Sequence, residues 1–284
     1  MTHYIHRMRD GRGIGVTGLG DPDATRLVLF CHPAPGVSGF DPDPTVTSTI
    51  GVRVIALDRP GYGASDPLRG VTRPMERWID DVDEYLRTVE SNARTVSTID
   101  FGSIGVIGWG AGALYASALA GRYPQLVERM VLVEPTAPTR ERLTASSARL
   151  DDRVEDVTSL DRLVGHPGAT DRMGFMLDEL AQGDEAGIEF DRLVLGDSSW
   201  YPLLGDVEAP TLIVSAGANP DARWYRRRIP NTRSSFEWSD PATTIVEAWP
   251  QVLGFLGPRE SEAAETFSAR RASSPLPQVQ QRPR

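Results

Sequence analysis

Lysine is absent from this 284-residue sequence; all 30 of its Lys+Arg positions are arginine. A Walker-type phosphate lysine and a Schiff-base lysine are therefore both excluded. Cysteine occurs once, at Cys31, which rules out an intramolecular disulfide and a cysteine metal cluster. At the end of the apolar run RLVLFC it reads as a small buried hydrophobe. Histidine is scarce, at His3, His6, His32 and His166, and none follows His166. No stretch approaches the roughly 20 apolar residues of a membrane span, and the start MTHYIHRMRDGRG has no apolar leader core, so a cytoplasmic location and no membrane partner are expected. Positive charge is in deficit. The net charge of −9 disfavours nucleic acid as a partner, although the C-terminal stretch is locally basic.

What the chain does have is alternating strand and helix patterns. A hairpin is expected from HYIHRMRD and IGVTGLGD across Asp10-Gly11-Arg12-Gly13, followed by continuous apolar strands at Arg26 to Cys31 and Val52 to Asp58. Met75, Trp78, Ile79, Val82, Leu86 and Val89 keep helical spacing and predict a helix over Pro74 to Glu90 with one buried face. Further strands are expected at Ile104 to Trp109, Arg129 to Val133, Ala209 to Gly217 and SSFEW. Helices are expected around Ala222 to Ile229 and from Thr244 to Leu256. Such alternation predicts a mainly parallel sheet. From Thr136 to Gly205 the chain is polar and acid-rich. Helices fit Asp171 to Gln182 and Ala186 to Leu195, but too few apolar residues accompany them for an independent core, so this part reads as a cap over the sheet.

The pivotal stretch is IGVIGWGAG, Ile104 to Gly112, running into the alanine-rich ALYASALAGRYP. An apolar strand, a glycine turn and a helix are the setting of a nucleophile elbow, G-x-S-x-G, with Gly110 at the serine position. Glycine tolerates the strained backbone of that turn but has no side chain to attack with.

Together, HPAPG after one strand, DRPGYGASDP after the next, the GWGAG turn and VEAPTLIVSAG resemble the α/β-hydrolase family over about residues 8 to 257. The nearest branch carries an HG-x-PG loop and has proline-iminopeptidase-like and epoxide-hydrolase-like members. The resemblance implies an α/β-hydrolase fold: a mostly parallel eight-stranded sheet flanked by helices, with a helical cap inserted after the sixth strand. The core is then 1–135 and 206–257 and the cap 136–205, while the polar, proline-bearing and unpatterned stretch of 258–284 is expected to be a disordered tail.

The same resemblance implies a nucleophile, an acid and a histidine in that order. The chain departs at each. Gly110 stands for the serine, the acid position offers only a displaced Asp221 or, after the preceding strand, Glu134, and the histidine segment reads SDPATT. The implied oxyanion donors are the N–H groups of Ala34 and Ala111, with His32, Trp109 and Gly110 completing the expected pocket. His32 is expected as a loop anchor, His166 as an exposed turn residue, and Trp200-Tyr201, at the return from the cap, as candidates with Trp109 to line a ligand cavity between cap and sheet. No cofactor and no metal are expected. Three readings stay open here: a non-hydrolytic protein binding a small apolar or carbonyl-bearing ligand or a protein partner; a triad-independent lyase, isomerase or cyclase; and ester or amide hydrolysis through replacement residues. The first is preferred, because loss of the triad leaves only about 10³–10⁴-fold over water.

Overall fold

The computed structural model describes residues 1–96, 102–138, 157–163, 165–183 and 185–258. Residues 139–156 of the expected cap and the expected tail beyond Pro258 lie outside them.

Eight strands form one sheet: β1 (Thr2–Arg7), β2 (Gly13–Gly20), β3 (Arg26–Cys31), β4 (Val52–Leu57), β5 (Ile104–Trp109), β6 (Val127–Val133), β7 (Thr211–Ala216) and β8 (Thr232–Trp238). Their spatial order is β1-β2-β4-β3-β5-β6-β7-β8. β1 with β2 and β2 with β4 are antiparallel, and every later pairing is parallel. The hairpin turn closes on Gly11, at φ +89°, with Met8 N–H donating to the Arg12 carbonyl at 2.9 Å.

The helices are α1 (Pro44–Thr49), α2 (Pro74–Val96), α3 (Gly112–Arg122), α4 (Pro167–Ala181), α5 (Ala186–Gly196), α6 (Pro220–Arg226), α7 (Pro241–Glu247) and α8 (Trp249–Leu256). They cover both faces, so central strands are apolar on both sides: β3 is buried at every position. Its residues still sort by the two-residue strand period. Leu27, Leu29 and Cys31 join the core under α2 and α3, while Val28 and Phe30 join the opposite core with Trp109 and Trp249.

Several boundaries differ from those expected. The run expected as one helix from Thr244 to Leu256 is two, α7 and α8, because Pro250 has no N–H to carry a continuous helix through. α4 begins at Pro167 rather than Asp171, with proline in the first turn where its missing donor costs nothing. α6 spans Pro220 to Arg226 rather than Ala222 to Ile229, started by Asn219, whose side chain accepts from the N–H of Asp221 at 2.8 Å and Ala222 at 3.2 Å. α1 has no counterpart in the sequence reading; it is capped by Asp43, which accepts from Thr45 N–H at 2.9 Å. Between β6 and β7 the described residues hold a 3₁₀ turn at Leu160–Leu163, α4, α5 and a second 3₁₀ segment at Tyr201–Asp206. No helix among the described residues is long and apolar enough to cross a membrane.

Candidate functional site

β5 ends at Trp109 and α3 begins at Gly112, so the chain reverses over two residues. Gly110 carries this turn at φ +56°, the left-handed region that an L side chain enters at a cost. Its N–H donates to the Val133 carbonyl at 3.0 Å, and its carbonyl accepts from Thr136 N–H at 3.0 Å and Ala113 N–H at 3.1 Å. The flanking glycines answer a different need. A Cβ on Gly108 would stand 2.6 Å from Ala113 Cα, and one on Gly112 would stand 2.0 Å from the Cys31 carbonyl oxygen. Their lack of a side chain lets α3 sit against β5 and β3. A Cβ on Gly110 itself would touch Pro33 Cβ at 3.3 Å and Val157 Cγ2 at 3.5 Å.

The loop after β3 carries His32, Pro33 and Ala34. Ala34 and Ala111 are both buried, and among the described residues neither N–H donates a hydrogen bond. Such unengaged donors are what an oxyanion site requires.

Glu134 follows β6 directly and adopts φ +43°, uncommon for a non-glycine residue. It is 3 % exposed, and its carboxylate gathers three donors. Ala216 N–H and the Thr244 hydroxyl, the latter at 3.0 Å, reach Oε1, and Asn219 Nδ2 reaches Oε2 at 3.1 Å. Burial raises its pKa above the ordinary carboxylate value, while the donors pull the other way. Asp221 is buried in the first turn of α6. In the segment where the resemblance implies histidine, Asp240 caps α7 by accepting from Ala242 N–H at 2.9 Å.

The four imidazoles lie elsewhere. His3 pairs with the Thr17 hydroxyl at 3.0 Å, and His6 packs edge-on against Tyr85, both on the sheet's outer hairpin. His166 Nε2 stands 3.4 Å from Glu247 Oε1, half-buried rather than exposed. His32 is buried, with Nδ1 2.8 Å from the Pro33 carbonyl and Nε2 accepting from Arg59 N–H at 3.1 Å. Burial first, then the Arg59 charge, lowers its pKa well below the usual imidazole value. Cys31 is also sealed, and burial pushes its thiol up to about 12, far from a reactive thiolate.

The side chain that organises this region is Arg59, fully buried. Its guanidinium donates to the carbonyls of His32 at 2.5 Å and Pro33 at 3.0 Å. It also grips Asp191 of α5, Nε to Oδ1 at 3.0 Å and Nη2 to Oδ2 at 2.9 Å. Hydroxyls of Tyr62, at 2.8 Å, and Tyr115 complete the carboxylate's shell. The loop after β3 is thus tied to α3 and α5 through one charge pair. The sequence reading missed Asp191, Tyr62 and Tyr115. A signal was present: Asp191 shares its helix face with Gly187, Val194 and Leu195, all buried, an unusual place for an unpartnered acid.

The tryptophans expected to line a pocket are placed apart. Trp109 is fully buried, its ring near Phe40 at 5.2 Å and parallel to Phe30 at 6.4 Å. Trp200 belongs to the core on the opposite face of the sheet, in edge contact with Tyr201. The reason is the strand period, which sends Trp109 away from the α3 side. Two cavities lie at the far end of the sheet and of α3: about 400 Å³ beside Leu27, Leu86, Ile104 and Tyr123, and about 700 Å³ beside Gly121, Leu203, Val207 and Asn231. Among the described residues no three metal-ligating side chains converge.

The profile of the alpha/beta hydrolase family matches residues 28–279. Among solved structures, the enol-lactonase from Burkholderia xenovorans LB400 is similar at TM-score 0.67 and 18% identity, covering 89% of this chain and 99% of that one. An esterase from Exiguobacterium antarcticum matches at TM-score 0.64 and 17% identity, covering 96% and 100%. A thioesterase domain from the curacin biosynthetic pathway matches at TM-score 0.64 and 17% identity, covering 89% and 99%. At these identities the likeness is one of fold. No curated protein matches the chain.

Proposed function

The chain belongs to the alpha/beta hydrolase family, and we propose that within it this protein is a non-hydrolytic member that holds a small carbonyl-bearing or apolar ligand instead of cleaving it. One observation carries the reading. The turn after β5 keeps the left-handed backbone of an elbow at Gly110, yet among the described residues the nearest atoms to the side-chain position belong to Pro33 and Val157. Covalent acyl transfer needs a nucleophile and a base that takes its proton. Both ring nitrogens of His32 are engaged by Pro33 and Arg59, and the other three histidines have contacts away from the turn. The N–H groups of Ala34 and Ala111, which donate no hydrogen bond among the described residues, are the part of the machinery that still suits a carbonyl or carboxylate oxygen.

Exposure of the protein to a fluorophosphonate and to p-nitrophenyl acyl esters, beside a Gly110→Ser variant, tests this. The unaltered chain is expected to remain unlabelled and to give no turnover; labelling of it would overturn the reading. Thermal-shift screening with short esters and carboxylates then looks for ligand stabilisation.

A second reading, proton transfer without a covalent intermediate, is favoured by Glu134, a buried carboxyl of raised pKa directly after β6. Turnover of a bound ligand that disappears in Glu134→Gln would select it.

A further inference from the structure

The cavity of about 400 Å³ has an apolar floor. Leu27, near the start of β3, and Ile104, at the start of β5, are each 1% exposed, and Leu86 of α2 and Leu126 before β6 pack beside them, half-buried. Its walls part because two helices differ in length. α3 stops at Arg122 and the chain turns away through Tyr123 and Pro124, whereas α2 runs on to Val96. The rise of β5 from Ile104 to the turn at Gly110 sets this floor about 20 Å from that turn.

The charges round the mouth are not equally committed. Arg87 Nε donates to Asp83 Oδ2 at 2.7 Å, and Glu90, on the same helix, acts on Arg87 as well and is itself engaged. Arg122 has no carboxylate partner among the described residues; its guanidinium lies 5.8 Å from the ring centre of Tyr123. The Tyr123 hydroxyl has no hydrogen-bond partner among the described residues either, and burial raises its pKa, so it stays a neutral donor near pH 7. The larger cavity on the other side of Arg122 differs in sign, since Asp206 and Glu208 line it.

We propose that the cavity beside Ile104 is a ligand site separate from the Gly110 turn, for a carboxylate-bearing amphiphile of the class of medium-chain fatty acid anions. The alkyl chain lies over Leu27, Leu86, Ile104 and Leu126, and the carboxylate meets Arg122 and the Tyr123 hydroxyl. A guanidinium suits this head group because its fork matches the two carboxylate oxygens. The volume falls within the range of small-molecule sites, which are mostly apolar with a few polar groups that fix orientation. A cationic head group would find Asp83 already paired and Arg122 repulsive. The assignment does not rest on the reading of the Gly110 turn.

Calorimetric titration of the full chain with hexanoate, octanoate and decanoate tests it. Affinity is expected to rise about three- to fourfold per methylene as the chain covers the floor. Decyltrimethylammonium should bind at least tenfold more weakly than decanoate. Arg122→Glu should weaken decanoate about tenfold or more, and because Arg122 is exposed the variant should melt as the wild type does, which a thermal scan verifies. A decanoate carrying a photoreactive diazirine should label the tryptic peptides 78–87 and 123–129, which contain Leu86 and Tyr123. Four results would each overturn the proposal: no binding of decanoate, affinity independent of chain length or head-group charge, a folded Arg122→Glu variant that binds as the wild type does, or labelling that misses both peptides.

Discussion

Arg59 and Asp191, far apart in sequence, meet as a buried fork-to-fork pair with N–O distances of 3.0 and 2.9 Å. Arg59 also holds the loop carbonyls of His32 and Pro33, so α5 and the loop beside Gly110 share one anchor. The guanidinium lies 4.9 Å from the ring centres of both Tyr62 and Tyr115, which adds cation–π attraction on its faces.

Removing the acid strands the cation. Asp191→Ala is expected to destabilise the fold by about 3–5 kcal/mol, the usual cost of leaving one partner of a buried pair alone. Urea denaturation measures it. A loss below about 1 kcal/mol would mean that water reaches Arg59 and the anchor is weaker than its geometry implies.

His32 sets a pH dependence of stability. Its folded pKa is lowered, so the unfolded chain takes up the proton first, from about 6.5 downward. Its contribution is complete above that pH and falls away as the pH drops, by up to about 1.4 kcal/mol per unit. Glu134, whose folded pKa is raised, works in the opposite sense: its contribution is complete below about 4.3 and declines as the pH rises through the folded pKa. Denaturation midpoints between pH 6.5 and 5.5 should therefore slope downward in the wild type and flatten in His32→Gln. An equal slope in both would assign the effect to other groups.

The glycines of the turn after β5 are not equivalent. Gly110→Ala meets a strained φ but contacts no closer than 3.3 Å, and should cost about 1–2 kcal/mol. Gly112→Ala drives a methyl to 2.0 Å from a carbonyl oxygen and should prevent the native packing of α3. Soluble yield and thermal melting of the two variants compare them directly. Equal tolerance would show that α3 can withdraw from β3.

Glu134 combines a costly backbone with useful hydrogen bonds, and two variants separate these. Glu134→Ala leaves three donors unsatisfied and keeps φ +43°, whereas Glu134→Gly leaves the same donors and relieves the backbone. The glycine variant should be more stable than the alanine variant by about 1 kcal/mol. If the alanine variant matches it or melts higher, the turn is relaxed and the carboxylate alone explains the residue.

What the sequence by itself determined was the alternation of elements and which residue types stand at the turn after β5. Continuous apolar strands such as Arg26–Cys31 and helical spacing from Met75 to Leu86 depend on neighbours a few residues away, and they led to a mainly parallel sheet, while the HPAPG, DRPGYGASDP, GWGAG and VEAPTLIVSAG motifs carried the resemblance to the family and its eight strands. The glycine at 110 and the four histidines are equally plain in one dimension. Only the tertiary structure decided who meets whom. Arg59 with Asp191, Glu134 with Asn219 and Thr244, and Trp109 on the face opposite Trp200 depend on strand order and on which way alternating side chains point. The physical reason is range: propensity and periodicity are local, whereas a buried charge finds its partner only after the sheet has brought distant segments within about 3 Å of each other.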